Sequence, residues 1–173
     1  MDSKVLVAYG SKYGATAEIA EKIGEELRQA GTQADVLPVK EVKDVTPYHG
    51  VVLGSAVYIG QWRKEAVKFL NKNEKLLAEK PVWLFSSGPA GKGDPVELLN
   101  GWRYPKKIQP FIDIVKPVDI AVFHGVVNEE KMNALERQMI KMVKSGVGDY
   151  RDWDAITAWA KGIADELKKR AGE

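Results

Sequence analysis

The sequence predicts an α/β fold built on a doubly wound, five-stranded parallel sheet with strand order 2-1-3-4-5. Short apolar runs alternate along the chain with segments of helical periodicity, which is typical of such a sheet. Right-handed crossovers between successive strands then give this order. We expect one domain over residues 1–173, because the length suits a single domain and the chain contains no linker or repeat.

Five apolar runs are the predicted strands. Residues 5–9, 51–56 and 81–85 have the continuous apolar character of buried parallel strands, and residues 118–123 form the last strand. Residues 34–39 alternate more weakly and contain Pro38, which cannot donate a hydrogen bond to a neighbouring strand. We therefore expect that strand at an edge of the sheet.

The segments between the strands predict the helices. One helix follows the first strand, and another follows the third, with Ala66, Phe69 and Leu70 on its buried side. A short helix is expected near residues 105–115, inside an irregular stretch rich in glycine and proline. Residues 129–144 and 152–170 predict two more helices. The last is expected to bury Trp153, Ile156, Ala160, Ile163 and Leu167.

Composition excludes several classes of function. A net charge of +2 gives no bulk attraction to nucleic acid, so we expect no nucleic-acid partner. The chain has no cysteine and two distant histidines, which excludes disulfides and iron–sulfur clusters and predicts no metal site. Redox chemistry would need an organic cofactor. The N-terminus lacks the pattern of a signal peptide and no run reaches membrane-spanning length, so we expect a cytoplasmic protein.

In a doubly wound sheet, ligands bind at the carboxyl ends of the strands, which here means residues 10–16, 55–62 and 86–93. In the first of these loops the chain turns from strand to helix through small residues, and Ser11 and Thr16 can donate hydrogen bonds. A phosphate group suits such a helix N-terminus. The dinucleotide and nucleotide-triphosphate fingerprints are both absent. The alternative is a tight turn in which these hydroxyls only cap the helix.

The segment VLVAYGSKYGATAEIAEKI, residues 5–23, closely resembles the flavodoxin signature. Tyr9, Ser11, Gly14 and Thr16 meet the core of that signature, whereas Ala8 stands where it prefers a larger residue. The resemblance implies a flavodoxin-like fold and flavin mononucleotide (FMN) as cofactor. It also implies that the first loop holds the FMN phosphate through Ser11, Lys12, Tyr13, Gly14, Ala15 and Thr16.

Two further segments, residues 54–69 and 135–167, resemble the menaquinone-dependent protoporphyrinogen dehydrogenase family and its flavodoxin-domain relatives. This likeness implies an FMN-dependent oxidoreductase that takes electrons from a porphyrinogen and passes them to a quinone. The sequence departs from that family at residues 85–95, where FSSGPAGKGDP replaces a more basic segment.

The second and third loops are candidates to hold the flavin ring. Small residues let the backbone approach the ring, Tyr58 or Trp62 could stack on it, and two serines could bind its edge. The alternative is that both aromatic residues only cover the end of the sheet. The candidates are Ser55, Ala56, Val57, Tyr58, Ile59, Gly60, Trp62, Ser86, Ser87, Gly88 and Pro89.

Two clusters combine flat aromatic surface with positive charge, which suits a planar substrate bearing carboxylates. Their cations are Arg63, Arg103, Lys106 and Lys107, and solvated loops are the alternative interpretation. A helix containing Met132, Met139 and Met142 predicts core packing, or else a surface for a partner, a quinone or peripheral membrane contact.

Two functions remain: an FMN oxidoreductase acting on a small molecule with a quinone, and a flavodoxin electron carrier between redox proteins. Carrier flavodoxins typically present a strongly acidic face, whereas this chain is slightly basic. The charge balance therefore favours the enzyme. A signalling receiver of the same topology would need an acidic cluster after the first strand, where Tyr9, Gly10 and Ser11 stand instead.

Overall fold

The computed structural model describes residues 4–142 and 147–172, and a parallel sheet lies at its centre. The sheet contains β1 (Lys4–Gly10), β2 (Gln33–Pro38), β3 (Gly50–Tyr58), β5 (Val82–Ser87) and β6 (Asp119–Phe123). The order is β2-β1-β3-β5-β6, which confirms the predicted doubly wound arrangement. The proline-containing strand β2 pairs only with β1 and forms one edge, as expected.

Helices cover both faces of the sheet. The larger helices are α1 (Ala15–Gln29), α2 (Lys64–Leu77), α4 (Gln109–Val115) and α6 (Trp153–Ala171). α1 and α6 pack on one face, where alternate strand residues such as Val7, Val52 and Phe85 meet them. α2 and α4 pack on the other face, against Leu6, Leu53 and Leu84 among others. None of the helices within the described residues has the length and apolar character needed to span a bilayer.

Several short elements were not predicted. β4 (Gln61–Trp62) folds back on β3 as an antiparallel hairpin. The irregular stretch after β5 contains α3 (Pro95–Leu98), and a 3₁₀ turn at Lys106–Ile108 precedes α4. Two-residue strands β7 (Val126–Val127) and β8 (Gly148–Asp149) pair antiparallel between β6 and α6.

The helix expected over residues 129–144 is interrupted. A 3₁₀ turn at Glu129–Lys131 is followed by α5 (Ala134–Met142), while residues 143–144 lie outside the described residues. The break occurs because Asn133 caps α5: its Oδ1 accepts from the backbone N–H of Glu136 at 2.9 Å. A cap residue has non-helical backbone geometry, so one continuous helix cannot pass through Asn133.

The burial expected in the last helix is correct for Ile156, Ala160 and Ile163, which are buried, and Leu167 is partly buried. It is wrong for Trp153, which is 37% exposed. Asp152 caps α6 by accepting from the N–H of Ala155 at 3.0 Å, so Trp153 stands at the first position of the helix. Its ring there lies beside the guanidinium of Arg151, 4.7 Å from the ring centre.

The sheet depends on a glycine in β3 that lets an aromatic ring lie against the backbone. Gly54 is paired with Phe85 on β5, and a Cβ atom at position 54 would lie 2.0 Å from Cζ of that ring. Phe85 is fully buried and packs edge-on against Trp159, so it cannot retreat. We expect Gly54→Ala to lower the free energy of unfolding by about 1–3 kcal/mol through overpacking. Chemical denaturation would measure the loss.

Gly162→Ala is the matched control. Gly162 lies on the exposed side of α6, and a Cβ atom added to it would have nothing within 4 Å. Alanine there should stabilise the protein by about 0.5–1 kcal/mol, because glycine loses more backbone entropy in a helix. Equal stability of Gly54→Ala and the parent protein would contradict the close Gly54–Phe85 packing.

Candidate functional site

A cavity of about 240 Å³ lies at the carboxyl ends of β1, β3 and β5. All three predicted loops border it, and a fourth segment, residues 125–139, forms the remaining wall. The residues that line it are Ser11, Lys12, Tyr13, Ala15, Thr16, Ala56, Val57, Tyr58, Ile59, Arg63, Ser87, Gly88, Gly125, Val126, Val127, Met132, Glu136 and Met139.

The first loop brings the N-terminus of α1 to the cavity. Gly14 precedes the helix in the left-handed conformation with φ of 94°, and no described side chain caps the first turn. Ser11 shapes the loop, since its Oγ accepts from the N–H of Gly14 at 3.0 Å. Backbone N–H groups in the first turn of a helix lack intrahelical partners and attract anions. The loop therefore has the donor chemistry of a phosphate site.

Thr16 connects the first and third loops. Its hydroxyl lies 2.8 Å from the Oγ of Ser87, and both side chains are buried at the cavity. Gly88 follows on the cavity wall, whereas the carbonyl of Pro89 accepts from the N–H of Gly125 at 3.1 Å. Pro89 thus fixes the third loop to the end of β6 and does not line the cavity.

The second loop is a two-residue hairpin turn. Tyr58 pairs with Gln61, and the intervening Ile59 and Gly60 both have positive φ, 51° and 69°. Such a turn requires positive φ at both central positions. Glycine meets this requirement without cost, but a β-branched side chain is strained there. Ile59 nevertheless occupies the first position, lines the cavity and is 62% exposed.

Three residues expected beside the flavin ring lie behind the loops instead. Trp62 is only 4% exposed, and its indole N–H donates to the Oγ of Ser86 at 2.8 Å. Ser86 in turn donates to the carbonyl of Arg103 at 2.9 Å. Ser55 is fully buried and its Oγ accepts from the N–H of Arg63 at 2.9 Å. This corrects the expected place of Trp62: the aromatic ring of the second loop that lines the cavity is Tyr58.

The four cations predicted to meet a substrate are separated. Arg63 lines the cavity and pairs with Glu65 at 3.1 Å. Arg103 instead donates from Nη1 to the carbonyl of Ile120 at 3.0 Å, on the edge strand β6. Lys106 and Lys107 are exposed in the 3₁₀ turn before α4 and do not line the cavity. The correction follows from the chain path, because the stretch after Trp102 runs along the sheet edge.

Sequence reasoning did not predict the fourth wall of the cavity. Glu136 is the polar side chain among the residues of this wall that line the cavity. The side chain is 2% exposed and its carboxylate accepts from the ammonium of Lys12 and the hydroxyl of Tyr13. The hydroxyl of Tyr58 donates to it at 2.9 Å. The hydrogen bond from Lys12, then that from Tyr13, lowers the pKa of the carboxyl to about 2, against burial, which raises it. Glu136 is therefore ionised at neutral pH.

One local sequence pattern indicates a structural role for Glu136. Asn133 and Glu136 have the spacing of a capping box, and the N–H of Asn133 donates to Oε2 of Glu136 at 3.3 Å. That spacing predicts the start of a helix. It does not predict contacts with residues 12, 13 and 58, which are distant in sequence. Met132 and Met139 line the cavity, so the expected core packing is wrong for these two.

The sequence profile of the flavodoxin domain family matches residues 6–154. The chain belongs to the flavodoxin domain family. It is similar to the protoporphyrinogen IX dehydrogenase [quinone] of Escherichia coli K12, with 24% identity over 172 residues covering 93% of this chain and 94% of that protein. This supports the resemblance inferred from residues 54–69 and 135–167.

Solved flavodoxin structures share the fold. A flavodoxin from the domain Archaea has a TM-score of 0.62 at 17% identity, covering 95% of this chain and 99% of the other. The rubredoxin oxygen:oxidoreductase of Desulfovibrio gigas has a TM-score of 0.64 at 15% identity, covering 98% of this chain and 37% of the other. At these identities the likeness establishes the fold alone.

FMN is the cofactor of this flavodoxin-domain protein. The described site fits it: the uncapped start of α1 suits a phosphate, and Tyr58 offers an aromatic surface on the cavity wall. The cavity also has apolar walls at Val57, Val126 and Val127 for a flat ring.

The strained residue in the hairpin generates a prediction. Replacing Ile59 by asparagine, which tolerates the left-handed region, should raise the free energy of unfolding by about 1 kcal/mol. FMN affinity should fall in the same variant because an apolar wall residue of the cavity is lost. Denaturation of the FMN-free protein and fluorescence titration with FMN would measure the two effects. Lower stability of Ile59→Asn would show that packing of the isoleucine outweighs its backbone strain.

Proposed function

We propose that this protein is an FMN-dependent oxidoreductase that oxidises a porphyrinogen-type substrate and passes the electrons to a quinone. The observation that carries the proposal is the fourth wall of the cavity. Residues 125–139 add a fourth wall to the cavity that the three loops border, and this wall is apolar at Val126, Val127, Met132 and Met139. A substrate needs such a walled space, whereas a carrier needs only an exposed flavin edge. The relative from Escherichia coli, whose name states quinone-linked protoporphyrinogen oxidation, supports the same class.

We assign the cofactor to the three loops. The start of α1 with Ser11 and Thr16 would hold the phosphate, and Tyr58 with Ser87 and Gly88 would border the ring. Bound FMN supplies an acceptor of two electrons that can return them one or two at a time. The chain's own contribution is to bind and orient substrate against it and to exclude water.

The walls of the cavity suit a flat apolar molecule with an acidic edge. Val57, Ile59, Met132 and Met139 provide adaptable apolar surface, and methionine adjusts its shape readily. Arg63 is the candidate partner for a substrate carboxylate, since guanidinium binds carboxylate in a two-pronged geometry. Arg103, Lys106 and Lys107 have no part in this proposal because they lie away from the cavity.

The alternative is an electron carrier between redox proteins. The exposed Ile59 at the mouth of the cavity favours it, because an apolar contact beside the cofactor suits transient protein docking. We place either activity in the cytoplasm, as expected from the sequence.

The phosphate assignment predicts a defined effect at Thr16. Thr16→Ala removes a buried hydroxyl that can bond the phosphate, and we expect FMN affinity to weaken by about 1–3 kcal/mol. The affinity for riboflavin, which lacks the phosphate, should fall by less in the same variant. Fluorescence titrations with both flavins would measure the difference. Equal losses for the two flavins would remove Thr16 from the phosphate site and leave it only its contact with Ser87.

The substrate assignment is tested by anaerobic reduction of the FMN-loaded protein with protoporphyrinogen IX, followed by reoxidation with a menaquinone. In the Arg63→Ala variant, we expect protoporphyrinogen at low concentration to reduce the flavin at least tenfold more slowly than in the parent protein. The reason is that a hydrogen bond to a charged group contributes about 1.5–3 kcal/mol to substrate binding. Dithionite should reduce the variant normally. Stopped-flow absorbance would follow both reactions.

Arg103→Ala is the matched control. It also removes an arginine that the sequence predicts to meet the substrate, but this arginine lies away from the cavity and donates to the carbonyl of Ile120 on β6. Protoporphyrinogen should reduce the flavin of this variant at the same rate as the flavin of the parent protein. If the parent flavin is reduced by dithionite and by a reductase but not by protoporphyrinogen, the electron carrier is the better assignment.

A further inference from the structure

Helix α5 is attached to the rest of the protein in an unusual way. An amphipathic helix is normally fixed by a row of buried apolar side chains. In α5, the one buried residue among the described side chains is Glu136, while Leu135 beside it is 66% exposed. The position of this helix therefore depends on a carboxylate.

The partners of that carboxylate come from two different loops of the FMN site. Lys12 and Tyr13 belong to the first loop, and Tyr58 belongs to the second. One side chain thus joins α5 to the proposed phosphate end and to the aromatic wall. The ammonium of Lys12 has three donors, so it can hold Glu136 and still bond an oxygen of a ligand.

The segment that carries α5 has a fixed base. β7 pairs with β8, and the N–H of Tyr150 donates to the carbonyl of Gly125 at 3.1 Å. Beyond this base, residues 128–142 form what we call the cover segment, which includes α5. Apart from Glu136, its polar links to the first loop include the exposed Lys131, whose ammonium donates to the carbonyl of Tyr13 at 3.3 Å. Met132 and Met139 face a cavity and not a packed core.

We propose that Glu136 is a positioning residue that holds the cover segment closed over the FMN cavity, so that the cofactor is released only when this carboxylate leaves Lys12, Tyr13 and Tyr58. The cofactor part of this proposal rests on the FMN site described above. The closed and open arrangements themselves are properties of the chain without cofactor. The carboxylate remains charged in both at neutral pH, and opening would exchange its three donors for water.

The absence of native cysteine makes the test direct. Gln61→Cys on β4 and Leu135→Cys on α5 place two spin labels at exposed positions, one in the second loop and one in the cover segment. Electron–electron double resonance on the FMN-free protein should give one narrow distance distribution. Adding Glu136→Gln should broaden it and move it to longer distances. Glutamine keeps the size and the capping box, so α5 itself should persist.

Glu130→Gln is the matched control, because that carboxylate lies exposed in the same cover segment. It should leave the distance distribution unchanged. Lys12→Met is a second variant that weakens the same contact from the other side, and it should broaden the distribution as Glu136→Gln does. If Glu136→Gln and Lys12→Met both retain the narrow distribution of the parent, the proposal is overturned.

The cofactor readout is the dissociation rate of bound flavin. We expect Glu136→Gln to release FMN and riboflavin about tenfold faster, with Glu130→Gln unchanged. Faster release of FMN alone would mean that Glu136 acts on the phosphate and not as a cover, which would overturn the proposal. Failure of the parent protein to oxidise porphyrinogen would reject the proposed function while leaving the distance measurements intact.

Discussion

The position of every loop around the cavity is set by the parallel pairing of β1, β3 and β5. This pairing places the three strand ends at one edge of the sheet, where residues 10–16, 55–62 and 86–93 meet. Gly54 permits the pairing of β3 with β5, since a Cβ atom at that position would lie 2.0 Å from the ring of Phe85. The register of these central strands therefore determines the relative positions of the three loops.

Buried hydroxyl groups then fix the loops to one another. Thr16 meets Ser87, Ser55 receives the N–H of Arg63, and Ser86 lies between Trp62 and the carbonyl of Arg103. Each pair joins two segments distant in sequence, and a buried polar group left without its partner would cost about 1–3 kcal/mol. Half of the serines that sequence reasoning assigns to ligand binding therefore serve as supports, while Ser11 and Ser87 line the cavity.

The sequence was sufficient for the strand order and for the three loops, because both follow from local periodicity and from the geometry of parallel sheets. The sequence did not allow us to predict which side chains of these loops point into the cavity and which point into the core. Trp62 and Tyr58 belong to the same hairpin, yet the pairing of the strands turns one into the core and the other to the cavity. Arg103 likewise bonds the edge of β6 because of a chain path that no local pattern encodes. The contacts of Glu136 were beyond prediction for the same reason, since their partners lie up to 124 residues away.

The fourth wall is the part of the cavity that the three strand-end loops do not supply. It is inserted between β6 and α6, after the last strand of the sheet, so it can vary without disturbing strand pairing. Its apolar residues line the cavity, and its buried carboxylate accepts hydrogen bonds from the loops to which we assign FMN. Placing a charge there is costly unless it is paired, and three donors from the cofactor loops meet that requirement. The same contacts that pair the charge of Glu136 therefore also fix the position of the fourth wall relative to the first and second loops.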